Sequence, residues 1–292
     1  MFCRCFGNYL LGKNIITQGQ LSQILEYRKS NRVKLGLIAV EQKLLTAAKA
    51  EEINQLQMKM DKRFGDIAIE KGYLSEDEVS KLLILQGNPY LLFVQACSEY
   101  DIMPKEKVDA CLVGFARENV YSHADMEALK NDDLEKVVSI LTKVAPPYDE
   151  LVTLVVKNLF RFASTDIAIG AQKKVKEVHV AHIASQEMQG DYSVLLGLAC
   201  EREELLALAI PYGREEFKSL DLDALDAVGE FINCTNGLYA SKLSQENIEL
   251  ELLPPSYQAN TSMMAEEEFL VLDLQVDGQW IQLIISMKHN RD

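Results

Sequence analysis

Apolar positions in the first hundred residues recur every 29 residues. Phe6-Gly7 aligns with Leu35-Gly36 and with Phe64-Gly65. Ile15-Ile16-Thr17 aligns with Leu44-Leu45-Thr46 and Tyr73-Leu74-Ser75, and Ile24 falls on Ile53 and Leu82. A fourth, worn copy follows, with Ile102-Met103-Pro104, Val108 and Cys111 in the matching places. A fixed period of this size indicates stacked helical units, none of which buries its apolar face alone. Each unit reads as a short helix carrying Gly-x-x-apolar, then a turn, marked by Gly72 in the third copy. A second helix follows, entered through Thr or Ser. Thr17 with Gln20 and Ser75 with Glu78 have the spacing of a capping box.

The pattern changes after Pro146-Pro147. An apolar helix spans 149–163. Residues 175–184 alternate as a strand, 191–200 form a second strand, and Gln189-Gly190 lies in the turn between them. Helices follow at 203–210 and 221–243. Strands at 246–253, 268–276 and 279–286 close the chain, the last two joined by Asp277-Gly278. Strands and helices grouped in this way imply α+β rather than an alternating parallel sheet. The expected architecture is α+β overall: an all-α helical repeat domain at 1–104, a helical connector at 105–147 and an α+β domain at 148–292.

Charge separates the same two halves. The net charge is −14. Residues 1–145 carry 19 basic and 20 acidic side chains, a net of −1; residues 146–292 carry 11 and 24, a net of −13. Phosphate backbones select basic surfaces, so nucleic acid is not an expected partner. No apolar run approaches the ~18 residues that span a bilayer. The six cysteines are sparse, which argues against a disulfide framework, and Cys3-x-Cys5 lacks a second ligand pair for a metal. A cytoplasmic protein with reduced thiols, no membrane insertion and no metal is the expectation.

The third repeat, with Arg63-Phe64-Gly65, Gly72, Leu74 and Gln86, resembles the N-terminal domain of type II secretion and pilus ATPases of the GspE/MshE kind. In one branch of that family, tandem 24-residue motifs bind cyclic di-GMP. The resemblance makes Arg63, Gly65, Gly72 and Gln86 candidate nucleotide-binding residues. The copy at 34–57 has Lys34 for the arginine and Lys43 for the glycine, and the copy at 5–28 has Cys5 and Arg28 at its ends. Lysine does not replace an arginine that must stack or fork onto phosphate. Protein docking or a spacer role is therefore favoured over cyclic di-GMP. No phosphate loop follows the repeats, so no ATPase is expected.

The helix 221–243 carries Asp226, Glu230 and Asn233 within about 60° of one face at ~100° per residue. Gly229 and Gly237 flank them, and glycine inside a helix suggests close approach by another backbone. Asp226-x3-Glu230-x2-Asn233-x21-Pro255, with Gly229 and Gly237, resembles the CheC/CheX/FliY family of chemotaxis phosphatases over about residues 148–287. CheC-type members carry Glu-x-x-Asn twice. Here no glutamate stands three residues before Asn158, so the resemblance is to CheX, with one site per chain and homodimeric relatives.

The resemblance implies hydrolysis of the aspartyl phosphate of a CheY-like response-regulator receiver. It implies no cofactor bound by this chain, because the receiver supplies the magnesium ion and a lysine. Positioning a water is then what remains. Asn233 would orient the water and Glu230 would contact the receiver's lysine; Asp226 would orient the helix or its neighbours, and Pro255 would be structural. The alternatives are an adaptor that docks a receiver without hydrolysing its phosphate, and a cyclic di-GMP effector acting through the N-terminal repeats.

Overall fold

Every regular element in the described residues between Phe2 and Asp133 is helical. The computed structural model describes residues 1–57, 59–60 and 62–289. The chain divides into two compact units, Phe2–Asp133 and Leu134–Asp292. The first contains α1 (Phe2–Gly12), α2 (Gln18–Ser30), α3 (Leu35–Glu41), α4 (Ala47–Gln57), α5 (Phe64–Glu70) and α6 (Glu76–Ile84). A 3-10 turn at Leu85–Gly87 leads to α7 (Pro89–Glu99), α8 (Lys105–Asn119) and α9 (His123–Lys130).

Small residues and left-handed turns set the geometry of these helices. A Cβ on Gly7 would lie 2.3 Å from Leu21 Cδ1, one on Gly65 would lie 2.8 Å from Val79 Cγ1, and one on Gly36 would meet Phe64 and Ala50. Leu21, Ala50 and Val79 are themselves 29 residues apart, so the same close approach of two helices recurs. Asn14, Lys43, Gly72 and Asp101 have φ of 56°, 58°, 66° and 50°. Lys43 therefore makes the left-handed turn that glycine makes in the third copy, although a side chain there costs about 1–2 kcal/mol. Thr17 with Gln20 and Ser75 with Glu78 form reciprocal capping boxes. Phe2, Phe6, Phe93 and Phe115 build the aromatic core of this unit.

The second unit opens with α10 (Leu134–Thr142) and α11 (Asp149–Phe162). Then come β1 (Ile167–Gly190), β2 (Tyr192–Cys200), α12 (Leu206–Gly213), α13 (Leu222–Ser244), β3 (Leu250–Leu252), β4 (Ser256–Val276) and β5 (Gln279–His289). All pairings are antiparallel, in the order β2-β5-β4-β1-β3. β1 also pairs with β2, so the circuit β1–β2–β5–β4 closes on itself. β1 and β4 run side by side from Ile167↔Val276 to Ser185↔Ser256. Register shifts between Ile169 and Gln172, and between Val175 and Glu177, interrupt that ladder. Val178, Val180, Ile183, Ala199, Phe269, Val271 and Ile284 form one buried apolar cluster across the four strands. α13 packs against the sheet and against α11 and α12.

Several expectations change. The stretch 105–147 is not a separate connector: α8 and α9 belong to the first unit and α10 to the second. Lys157 of α11 pairs with Glu135 of α10 at 2.7 Å, and Val137 and Val138 are buried. Pro146-Pro147, a cis peptide, thus marks a turn between two helices of one unit and not the domain boundary. The strand expected at 175–184 runs from 167 to 190, because the bulges break the alternation that reveals a strand. The strand expected at 268–276 begins at Ser256, and that at 246–253 shrinks to Leu250–Leu252. Among the described residues no helix is long and apolar enough to cross a membrane.

Candidate functional site

α13 begins where Asp221 caps it, accepting from the Ala224 backbone N–H at 3.0 Å. One stripe of the helix is apolar and buried, with Val228, Phe231 and Ile232 at or near zero exposure. The adjoining stripe brings Asp226, Glu230 and Asn233 together: Asp226 and Glu230 are exposed, and Asn233 is half-buried.

Each of the three is held differently. The Tyr257 hydroxyl, from the start of β4, donates to Asp226 Oδ1 at 3.0 Å. Burial, aided by this bond to the carboxylate, pushes the Tyr257 hydroxyl up to about 12, so it stays a donor across the neutral range. Tyr257 pairs with Ala184 in the sheet, which aims its side chain to the same side as Ala184 and Gln186. It reaches across the helix because Gly229 lies beneath it: a Cβ there would sit 2.4 Å from the hydroxyl. Tyr212 of α12 donates to the Glu230 carbonyl at 3.3 Å and packs edge-on against Phe231. The Glu230 carboxylate itself makes no ion pair among the described residues. Asn233 Oδ1 accepts from Gln186 Nε2 at 2.8 Å, while its Nδ2 has no protein partner among the described residues.

Gln186 is the hub beneath the helix. Its Nε2 also donates to the Leu253 carbonyl at 2.8 Å, and its Oε1 accepts from Asn236 Nδ2 at 2.9 Å. Leu253 lies in the loop from β3 to β4 that carries Pro255, and its own N–H donates to the Glu187 carbonyl. Pro255, half-buried, thus sits between the residue that holds Gln186 and the residue that holds Asp226. Among the described residues nothing lies within 4 Å of a would-be Cβ on Gly237, and at Gly229 the neighbour is a side chain. The expected approach of another backbone to these two glycines is therefore not found.

Asn158 of α11 is 6% exposed and donates to Thr235 Oγ1 of α13 at 3.0 Å. It ties two helices together inside the core, away from the exposed stripe. Gln186, Tyr257 and Leu253 did not emerge from the sequence. Gln186 had a signal: it continues the strand phase of Ala184 and Met188, both buried, and so is a polar side chain in an apolar phase.

The candidate nucleotide-binding residues occupy other surroundings. Arg63 is exposed at the start of α5 and makes no side-chain cap. Gly65 is packed under Val79, and Gly72 holds the left-handed turn. Gln86 is tied to Val33 twice, its Nε2 donating to the Val33 carbonyl at 3.0 Å and its carbonyl accepting from the Val33 N–H at 2.9 Å. Among the described residues no group of three His, Cys, Asp or Glu side chains is arranged to hold a metal ion.

Residues 182–275 match the model of the family described as Chemotaxis phosphatase CheX. The part of the chain that is similar to this family contains Gln186, all three stripe residues, Pro255 and Tyr257. Among solved structures, the chain is similar to a chemotaxis protein CheX from Desulfovibrio desulfuricans (14% identity, TM-score 0.41, covering 48% of this chain and 98% of that one). It is also similar to a chemotaxis protein CheX from Vibrio vulnificus (14%, 0.41, 47% and 96%). A third is the CheX-CheY-BeF3-Mg2+ complex from Borrelia burgdorferi (18%, 0.41, 49% and 99%). No curated protein matches the chain. No match supports the resemblance of the N-terminal repeats to secretion and pilus ATPases.

Proposed function

We propose that the second unit hydrolyses the aspartyl phosphate of a CheY-like receiver, with Glu230 and Asn233 as the residues that meet the partner's active site. The observation that carries this reading is their placement. Among the described residues, a carboxylate without an ion pair and an amide nitrogen without a protein partner lie side by side on the exposed stripe of α13, inside the region that matches the CheX family model.

The chemistry asks little of this chain. An acyl phosphate is already activated, and a receiver brings its own magnesium ion and lysine to the phosphoryl group. Water oxygen bonds to phosphorus as the bond from phosphorus to the aspartyl oxygen breaks. The aspartate leaves as a carboxylate, and the water's proton leaves with inorganic phosphate or to solvent. No covalent intermediate forms on this chain. Its contribution is to place one water in line, which is a positioning effect. The amide of Asn233 suits that task because it is neutral and can donate without exchanging a proton. Glu230, exposed at the neighbouring turn, supplies a charge to pair with a lysine ammonium and so fixes the register of docking. Asp226, held by Tyr257, keeps the stripe in place.

In the first unit, Gly65, Gly72 and Gln86 each serve the helical packing, which supports a docking or spacer role in preference to nucleotide binding. A homodimer with one site per protomer belongs to the same proposal. The test is phosphate release from a receiver charged with acetyl phosphate and magnesium. Asn233→Ala is expected to abolish the acceleration with the fold intact, and Glu230→Ala to weaken receiver affinity. An unchanged rate in Asn233→Ala would overturn the assignment.

A further inference from the structure

Three amide side chains meet beneath the exposed stripe of α13, and a single backbone carbonyl decides which way each of them faces. The Leu253 carbonyl can only accept a hydrogen bond. The end of Gln186 that faces it, 2.8 Å away, must therefore be the NH2 group. The same NH2 group lies 2.8 Å from Asn233, so the atom that Asn233 turns toward Gln186 must be an acceptor, its carbonyl oxygen. The other end of Gln186, its oxygen, requires a donor and receives the Asn236 NH2 at 2.9 Å. Reversing any one amide would set two donors or two acceptors against each other in a buried site.

The cost of this arrangement is visible. Asn236 is 0% exposed, and its Oδ1 is the buried side-chain polar atom without a partner among the described residues. Turning Asn236 over would place its oxygen against Gln186 Oε1, so the orientation of the chain of amides is kept even at the expense of that atom. Gln186 itself is 2% exposed and cannot exchange its partners for water. Bonded amides in series polarise one another, which strengthens the preference.

We infer that Gln186 is a positioning residue for the site: through it, the Leu253 carbonyl dictates that Asn233 presents its amide NH2, and not its carbonyl oxygen, to a docked partner. The inference rests on the reading of Asn233 as the group that faces the reacting centre. It deepens that reading by making Asn233 a hydrogen-bond donor there, toward the water or the phosphoryl oxygens. Its own carbonyl oxygen is committed inward. Pro254 and Pro255 acquire a purpose as well, since fixed φ values hold the loop that carries Leu253.

The experiment has two arms on the full-length chain. In the first, side-chain amides are labelled with nitrogen-15 at Asn and Gln, with the Asn233 resonance identified by its loss in Asn233→Asp. The Asn233 NH2 is expected to exchange rapidly with water, and the Gln186 and Asn236 NH2 groups to be protected. A protected Asn233 NH2, or a rapidly exchanging Gln186, would overturn the inference. In the second arm, Gln186→Met removes the donors while keeping the length of the side chain. Turnover of receiver phosphate is expected to fall about 10²-fold, as for a misplaced group. Receiver affinity should be unchanged, and the substitution should have no added effect in an Asn233→Ala background. Wild-type turnover in a folded Gln186→Met protein would overturn it. If Gln186→Met does not fold, the exchange pattern of the wild type decides. If the wild type accelerates no hydrolysis while the exchange pattern is as expected, the phosphatase reading falls and the orientation of Asn233 stands.

Discussion

Gly229 and Gly237 lie two turns apart on α13 and do different work. At Gly229 the missing side chain is the space in which Tyr257 crosses the helix. Gly229→Ala is expected to displace Tyr257, free Asp226 and bring the tyrosine's titration down from about 12 toward its ordinary value. Absorbance of the phenolate during an alkaline titration checks this. A tyrosine raised in the fold stabilises it below the unfolded value, and that contribution fades as pH climbs through the folded one. At Gly237 no described residue of another element lies within 4 Å of a would-be Cβ, so Gly237→Ala is expected to raise stability by about 0.5–1 kcal/mol, read by thermal unfolding. Asp226, Glu230 and Asn233 were legible in the sequence because one helix places them by its own periodicity. The residues that hold them were not. Gln186 and Tyr257 arrive from strands about 30–50 positions away, and only the pairing of Ala184 with Tyr257 reveals that they face the same helix.

Local signals were readable at the level of single elements, and long-range ones were not. A capping box is complete within four residues, and Thr17 and Ser75 make theirs as the spacing suggests. β1 extends over 24 residues, but its bulges and the run Gln172-Lys173-Lys174 hide half of it from any test of alternation. Two substitutions test how the elements pack. Gly65→Ala drives a Cβ to 2.8 Å from Val79, and an overpacking loss of about 1–3 kcal/mol is expected in chemical denaturation. Asn158→Ala leaves the buried Thr235 hydroxyl without its donor at a cost of about 1–3 kcal/mol. Because Asn158 braces α11 against α13 inside the core, turnover of receiver phosphate should not change in that variant. A loss of turnover at unchanged stability would contradict the single-site arrangement.

For the whole molecule, the charge asymmetry persists when the chain is divided at the structural boundary, although it is slightly sharper at the proline pair. With the boundary at 133/134, the first unit has 17 basic and 19 acidic residues, a net of −2, and the second has 13 and 25, a net of −12. An acidic unit would steer toward a partner that displays a lysine and a bound divalent cation. The association rate with a phosphorylated receiver is accordingly expected to fall as ionic strength rises, measured by stopped flow; a flat response would leave the acidity without a role in encounter. In the proposed function, α13 presents Asn233 to an aspartyl phosphate and shortens its life. The most direct test is the lifetime of that phosphate on a receiver mixed with catalytic amounts of the full-length chain. The lifetime is expected to shorten in proportion to the chain added and to return to that of the receiver alone with Asn233→Ala. Saturable binding of the receiver with an unaltered lifetime would contradict it and leave a docking adaptor in its place.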